Sequence, residues 1–262
     1  MIEEAHIGHT AEKIIIGLIN QNDKFQSFMR TSIRNLVNIE LKGNLIAKEG
    51  ASGHKTDIAI IASDGVVGIS LKTARKGGRP DDHLDRRWLS KAGRYSASWA
   101  DVLQMPENIR KIIENGIIRK AYNKNADLID ASYHTQVKDF LFSKLDVFLS
   151  ESFRKSETEL KIFAVQEYNE EARLFLFNLD ETLSFIKRNI ESKGISFRSR
   201  INLGDYLQIQ RKAGDGRSID ARISKTDPDH PGNQLQVKLM TLALKGDAVS
   251  KGLKCEHISL NS

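Results

Sequence analysis

Two charged residues stand at the ends of neighbouring apolar runs in this 262-residue chain. Asp57 comes before the run Ile58–Ala62, Lys72 follows the run 66–71, and Asp64-Gly65 separates the two runs. A carboxylate beside an ammonium group is either an ordinary ion pair at the end of a sheet or the charged part of a reactive site. The residues that follow Lys72 favour a site that handles phosphate groups.

The apolar runs predict a β-hairpin, because Asp-Gly between two such runs is a strong signal for a two-residue turn. Pairing of Ser63 with Val66 would place Asp57 directly opposite Lys72. We therefore expect the two side chains to be cross-strand neighbours, with Cβ atoms about 4.5–5.5 Å apart. Because side chains alternate along a strand, the face of the hairpin opposite to Asp57 and Lys72 is purely apolar. It holds Ile58, Ile60, Ile69 and Leu71.

A cationic segment rich in glycine follows the hairpin. Arg75, Lys76 and Arg79 surround Gly77-Gly78, and such a segment lets backbone and side chains approach phosphate oxygens. The whole chain carries 40 Lys and Arg against 34 Asp and Glu, a formal net charge of +6. This modest excess favours polyanionic partners, although a charge run on its own is more often a solvated surface.

These residues resemble the catalytic hairpin and following helix of type II restriction endonucleases in the PD-(D/E)xK nuclease superfamily. The likeness covers about residues 45–92. It rests on three stretches, Gly53-His54-Lys55-Thr56-Asp57-Ile58, Ile69-Ser70-Leu71-Lys72-Thr73 and His83-Leu84-Asp85-Arg86-Arg87-Trp88-Leu89. The resemblance implies a Mg²⁺-dependent endonuclease that hydrolyses both strands of DNA at a specific short sequence. It also implies a mixed central sheet with flanking helices.

The resemblance assigns roles to three residues. Asp57 matches the metal-binding aspartate, and Lys72 matches the lysine that positions or activates the attacking water. Ser70 is a departure, because it stands where the family has a second carboxylate. A hydroxyl is a poor ligand for Mg²⁺, which favours charged oxygen donors. The second charge must therefore come from elsewhere, or activity is lost.

Three glutamates are candidates for that second carboxylate. Glu49 is the first candidate, because it ends the apolar run before the hairpin and a neighbouring strand would bring it beside Asp57. Glu40 and Glu12, on or near predicted N-terminal helices, are the fallbacks. An isolated glutamate is more often a surface residue, so an exposed Glu49 with no ligand stays the alternative.

Two amphipathic runs in the C-terminal third predict a β-ribbon with one polar face. Stretches 208–217 and 233–238 also give a looser echo of the family. A glutamine can bond the adenine edge in the major groove, where a two-stranded ribbon fits. The alternative is a solvated sheet face with a mobile loop. The predicted DNA-contacting residues here are Gln208, Gln210, Lys212, Arg217, Gln236 and Lys238, with Arg222 and Lys225 as further phosphate contacts.

The remaining periodicity predicts an α/β fold with helices and strands in mixed order. Helices are expected from Thr10, from Asp23, near 82–92, over 98–121 and 135–154, and from Asp180 to Ser192, where Gly194 ends the last. The expected strands are near 43–48, 56–63, 66–73, 160–165, 173–177, 206–212 and 234–239.

Length and composition favour one nuclease domain over 1–262, with a catalytic core in 1–155 and a β-rich recognition part in 156–262. The one cysteine, Cys255, and the polar N-terminus predict a cytoplasmic protein without a disulfide. Cutting both strands of a palindrome favours a homodimer. Two other functions stay open: a DNA-binding protein whose catalysis is lost, and a nuclease that processes RNA or junctions.

Overall fold

A computed structural model describes residues 2–75, 82–94, 96–168, 172–212, 223–224 and 226–260, without the side chains of residues 2–7 and Arg75. The fold is mixed α/β, as predicted, with two sheets. The described residues form eight α-helices. None of these helices is at once long enough and apolar enough to cross a membrane.

The chain divides into two compact units, each built from separate segments. Unit 1 consists of residues 1–82, 153–185 and 241–262, and unit 2 consists of residues 83–152 and 186–240. The two units are interleaved in the sequence, and the chain passes from one to the other four times.

Unit 1 contains a six-stranded sheet in the order β1-β2-β3-β5-β6-β11. Strands β3 and β5 run parallel, and the other neighbours are antiparallel. The strands are β1 (Ile46–Glu49), β2 (Ile58–Ala62), β3 (Gly65–Arg75), β5 (Leu160–Tyr168), β6 (Arg173–Asn178) and β11 (Cys255–Ser259). The helices that begin in or belong to this unit are α1 (Ile2–Gln21), α2 (Asp23–Val37), α7 (Leu179–Lys193) and α8 (Thr241–Ser250).

Helices α1 and α2 form one hydrophobic core with the sheet of unit 1. Ile15 and Met29 from the helices and Ile58, Ile60 and Ile69 from the strands are all almost fully buried in this cluster. The predicted apolar face of the hairpin is thus confirmed. The helix starts differ from prediction, because α1 passes through Thr10 and the cap of α2 is Asn22, whose side chain accepts from Phe25 N.

Unit 2 contains a five-stranded sheet in the order β4-β10-β9-β8-β7. The strands are β4 (Asp82–Arg87), β7 (Ile195–Phe197), β8 (Ile201–Leu203), β9 (Leu207–Arg211) and β10 (Leu235–Leu239). Its helices are α3 (Trp99–Val102), α4 (Glu107–Tyr122), α5 (His134–Ser143) and α6 (Leu145–Phe153). The sequence predicted β9 and β10 but not β7 or β8.

The helix predicted near 82–92 is wrong, because residues 82–87 form β4. Arg87 explains the difference. Its side chain is 1% exposed and pairs with Asp85 at 2.9 Å and Glu151 at 3.0 Å. A strand can bury this arginine because two carboxylates satisfy it, and its guanidinium also lies over the Trp99 ring.

The helix predicted over 135–154 is two helices. Lys144 ends α5 with non-helical backbone angles (φ −113°, ψ 11°), and α6 begins at the next residue. The predicted apolar stripe is nevertheless buried, including Val137, Phe140 and Phe148. The helix predicted from Asp180 is confirmed as α7, and Gly194 follows it with φ +82°.

Candidate metal centre and nucleic-acid interface

The hairpin forms as predicted, but its register differs by two residues. Ala62 pairs with Gly65, so Ser63-Asp64 is the turn instead of Asp64-Gly65. A residue outside the hairpin stabilises the turn, since Asp64 Oδ1 accepts a hydrogen bond from Lys42 N at 2.9 Å. A shift of two residues keeps every side chain on its face. It makes Ser70, rather than Lys72, the residue next to Asp57.

Asp57 comes directly before β2 and is fixed through its backbone. Its N–H donates to Ile69 O, and its carbonyl accepts from Gly50 N, both at 2.9 Å. A Cβ on Gly50 would lie 1.7 Å from Thr56 O, so only glycine allows the chain to approach this closely. The start of β2 is therefore clamped between β3 and the end of β1.

Glu157 holds the segment that leads into Asp57. Its Oε2 accepts from Thr56 N at 2.8 Å and from Thr56 Oγ1 at 2.7 Å, and its Oε1 accepts from Lys55 N. Hydrogen bonds to a charged acceptor are the strong ones. Nothing in the residues near Glu157 signals this contact, because it joins positions about 100 residues apart in the chain.

The Asp57 carboxylate is held through one of its oxygens. Oδ2 accepts from Leu71 N at 2.6 Å and from Ser70 Oγ at 3.3 Å, and it lies 3.6 Å from Lys72 Nζ. Lys72 Nζ also donates to Leu71 O at 3.1 Å. In the described part of the chain the contacts of this carboxylate all fall on Oδ2, which leaves Oδ1 for a ligand. The predicted proximity of Asp57 and Lys72 is confirmed.

Glu12 on α1 belongs to the same electrostatic environment. Burial raises the pKa of the Glu12 carboxyl above its ordinary value, and the negative charge of Asp57 raises this pKa further. His9, whose Nδ1 lies 3.5 Å from Glu12 Oε2, lowers the Glu12 pKa in part, and so does Lys72. Because burial and a neighbouring negative charge disfavour the ionised form of Glu12, a bound cation would stabilise this carboxylate.

The other two glutamate candidates are exposed. Glu49 ends β1 opposite Ile58 in the sheet, and Glu40 lies beyond the end of α2. Glu12, a fallback from the sequence, is the candidate whose charge interacts with Asp57 and Lys72.

The donor set fits Mg²⁺. The described residues contain no cluster of three or more His, Cys, Asp or Glu arranged to hold a metal ion. Mg²⁺ does not need one, because it keeps several waters and is commonly held by one or two carboxylates plus substrate phosphates. Asp57 and Glu12 supply that number.

The cationic segment after the hairpin is described only at its start. Arg75 is the last residue of β3. Its side chain lies outside the described residues, as do Lys76 and Arg79. Their predicted contacts with phosphate stay predictions.

The predicted ribbon of polar residues exists as β9 paired antiparallel with β10. Gln210 stands opposite Gln236 and Gln208 opposite Lys238, and Gln210 Nε2 donates to Gln236 Oε1 at 3.3 Å. These four side chains are partly exposed, whereas the alternate residues, such as Ile209 and Val237, are buried. Lys212 continues β9, with its N–H donating to Gln234 O at 2.8 Å. The predicted Arg217, Arg222 and Lys225 lie outside the described residues.

No family model matches this chain, and no curated protein is similar to it.

Proposed function

We propose that this protein is a Mg²⁺-dependent, sequence-specific DNA endonuclease of the restriction type. The observation that carries the proposal is the proximity of Asp57 and Lys72 in unit 1, with Glu12 within the range of their charges. The Asp57 carboxylate lies 3.6 Å from Lys72 Nζ, and its charge acts on the half-buried Glu12 carboxyl. The placement of Asp57 and Lys72 at neighbouring strands of a hairpin supports the likeness to the PD-(D/E)xK superfamily.

Each residue has a defined part in this proposal. Asp57 Oδ1 and the Glu12 carboxylate would hold Mg²⁺, which when bound supplies Lewis-acid stabilisation of charge on the phosphate and makes a water nucleophilic. Lys72 has three donors, of which one already bonds Leu71 O. The others are available to orient the water and a phosphate oxygen.

Ser70 acts differently from the carboxylate that it replaces. Its hydroxyl donates to Asp57 Oδ2 and is almost completely buried. Ser70 therefore orients the Asp57 carboxylate, and Glu12 provides the second negative charge from a helix instead of from β3.

Recognition of DNA is assigned to the ribbon and to the cationic residues. Gln210 and Gln236 are opposite each other, so the pair can present amide groups to one base edge. The flanking Gln208, Lys212 and Lys238, together with Arg75, Lys76, Arg79 and Arg217, contribute further contacts to DNA. Cutting of both strands favours a homodimer, and we expect the protein in the cytoplasm.

The test is cleavage of a plasmid by the purified protein with and without Mg²⁺. We expect discrete, metal-dependent fragments whose sequenced ends share one short motif. Asp57→Asn should abolish cutting. The matched control is Asp64→Asn in the turn of the same hairpin, where an amide oxygen still accepts from Lys42 N. Cutting by the Asp57→Asn protein at the wild-type rate would refute the assignment of Asp57.

A second function, DNA binding without catalysis, is favoured by one observation. Ser70 stands in the position of an acidic residue, so β3 provides no second carboxylate for the metal. In the same experiment this protein would shift the mobility of the plasmid and leave it intact at every Mg²⁺ concentration.

A further inference from the structure

Unit 2 contains a cationic cavity of about 210 Å³ beside the ribbon. The end of α4, the turn between β7 and β8, and the end of β9 form its wall. The lining residues are Lys120, Lys124, Ser199, Arg200, Gln210, Arg211 and Lys212. We call it the α4–β9 cavity. Five of these seven residues carry a positive charge and none is acidic.

Neutral groups hold the cations of this cavity in place. The buried Lys120 donates through Nζ to Lys124 O at 2.7 Å and to Ala126 O at 3.0 Å. Arg200 donates to Gln208 Oε1, and Arg211 Nε donates to Asn233 Oδ1 at 2.8 Å. The carbonyl and amide oxygens that accept from Lys120 and Arg200 orient these two cations but do not cancel their charge.

The positive charges are close enough to act on one another. Burial lowers the pKa of Lys120, and the charges of Arg211 and Arg200 lower it further, against an opposing effect of Asp127. Burial also lowers the pKa of Lys212, with a contribution from Arg86. Among the described residues, no carboxylate lies within 4.0 Å of the charged groups of Lys120, Lys124, Arg200 or Lys212. An anion in the cavity would relieve this repulsion.

We propose that the α4–β9 cavity binds one phosphodiester group of the DNA backbone and so fixes the ribbon against the bases. This inference rests on the proposed function, which supplies the DNA. Gln210 and Lys212 belong both to the cavity and to the ribbon. A phosphate held there would set the position of Gln210 relative to the base edges, because backbone contacts position a protein and base contacts specify the sequence.

The test compares the binding of a mixed-sequence DNA duplex without Mg²⁺ at a series of salt concentrations. The variants are Lys124→Ala and Arg200→Ala, whose side chains are exposed at the rim. The matched control is Lys111→Ala on α4, whose side chain is 67% exposed and paired with Glu107. Each lost phosphate contact reduces the slope of log K against log salt by about 1. We expect this reduction and weaker binding for the two variants, with wild-type values for Lys111→Ala.

Each outcome decides the inference. If both variants keep the wild-type slope and affinity, the phosphate does not bind here, while metal-dependent cleavage would leave the proposed function intact. If the two variants show a smaller slope of log K against log salt, but the wild-type protein never cuts DNA, the phosphate site is supported and the proposed nuclease function is refuted. Binding of inorganic phosphate by the wild type without any affinity for the duplex would identify a site for a free anion and overturn the inference.

Discussion

Replacement of Lys72 by glutamine separates a catalytic lysine from a structural one. Lys72 is 15% exposed and lies 3.6 Å from Asp57 Oδ2. A partly exposed ion pair of this kind is worth about 1 kcal/mol or less. If the protein has about 5 kcal/mol of stability, the low end for a folded domain, the variant still has only about one molecule in a thousand unfolded. Unfolding therefore cannot remove its activity.

Loss of catalysis should be far larger than this loss of stability. A positioned group that handles the proton of the attacking water contributes about 10²–10⁴ in rate. This range corresponds to about 2.7–5.4 kcal/mol of activation free energy. We expect a decrease of this size in the single-turnover rate of plasmid cleavage by Lys72→Gln at saturating Mg²⁺, with DNA binding largely unchanged.

Unit 1 offers a matched control for this experiment. Lys245 on α8 is 17% exposed and pairs with Glu167 on β5 of the same sheet. Lys245→Gln should therefore cost similar stability and leave the cleavage rate within a few-fold of the wild type. Cleavage by Lys72→Gln at more than one tenth of the wild-type rate, or an equal loss in both variants, would refute the role given to Lys72.

Three other changes test neighbouring parts of the account. Because burial and Asp57 raise the Glu12 pKa, the folded state binds this proton more tightly than the unfolded chain, so stability from Glu12 is present below about pH 4.3 and lost as the pH rises through the raised value. Glu12→Gln should thus raise the melting temperature of the metal-free protein at pH 8 but not at pH 4; an equal change at both would contradict this. Glu157→Ala leaves three donors of Lys55 and Thr56 without their acceptor, and bonds to a charged group are worth about 1.5–3 kcal/mol. We expect a melting temperature lower by at least about 3 °C and a higher Mg²⁺ requirement for cleavage, and an unchanged requirement would limit Glu157 to stability. Gln210→Ala or Gln236→Ala should weaken discrimination at one base pair by about 1–3 kcal/mol, measured as cutting at sites that differ in one base. A uniform loss at all sites would argue against base reading.

The hairpin shows how much of the site can be predicted from the local sequence. Two apolar runs around Asp64-Gly65 were enough to find both strands, and the alternation of side chains along a strand put Asp57 and Lys72 on one face. The register was wrong because the turn is bound by Lys42, a contact across 22 residues that no pattern near the turn reveals. Because the predicted register differs from the observed one by two residues, Asp57 and Lys72 still lie on the same face of the hairpin and close together.

Contacts between distant segments account for what the sequence missed. Arg87 is buried in a strand because Glu151 pairs with it, 64 residues away. Glu157 holds the segment before Asp57 across about 100 residues. Helical periodicity placed Glu12 on an N-terminal helix, but only the packing of α1 on the sheet brings its charge into the range of Asp57. Such facts depend on the tertiary fold and leave no local signal.

The most direct measurement of the central claim is a crystal structure of the protein with a DNA duplex and Ca²⁺, located by its anomalous scattering. We expect a cation about 2.3–2.6 Å from an Asp57 oxygen, the usual Ca²⁺–oxygen distance, with a phosphate oxygen in its coordination shell and Lys72 Nζ beside that phosphate. A cation bound elsewhere, or a scissile phosphate far from Asp57 and Lys72, would contradict it.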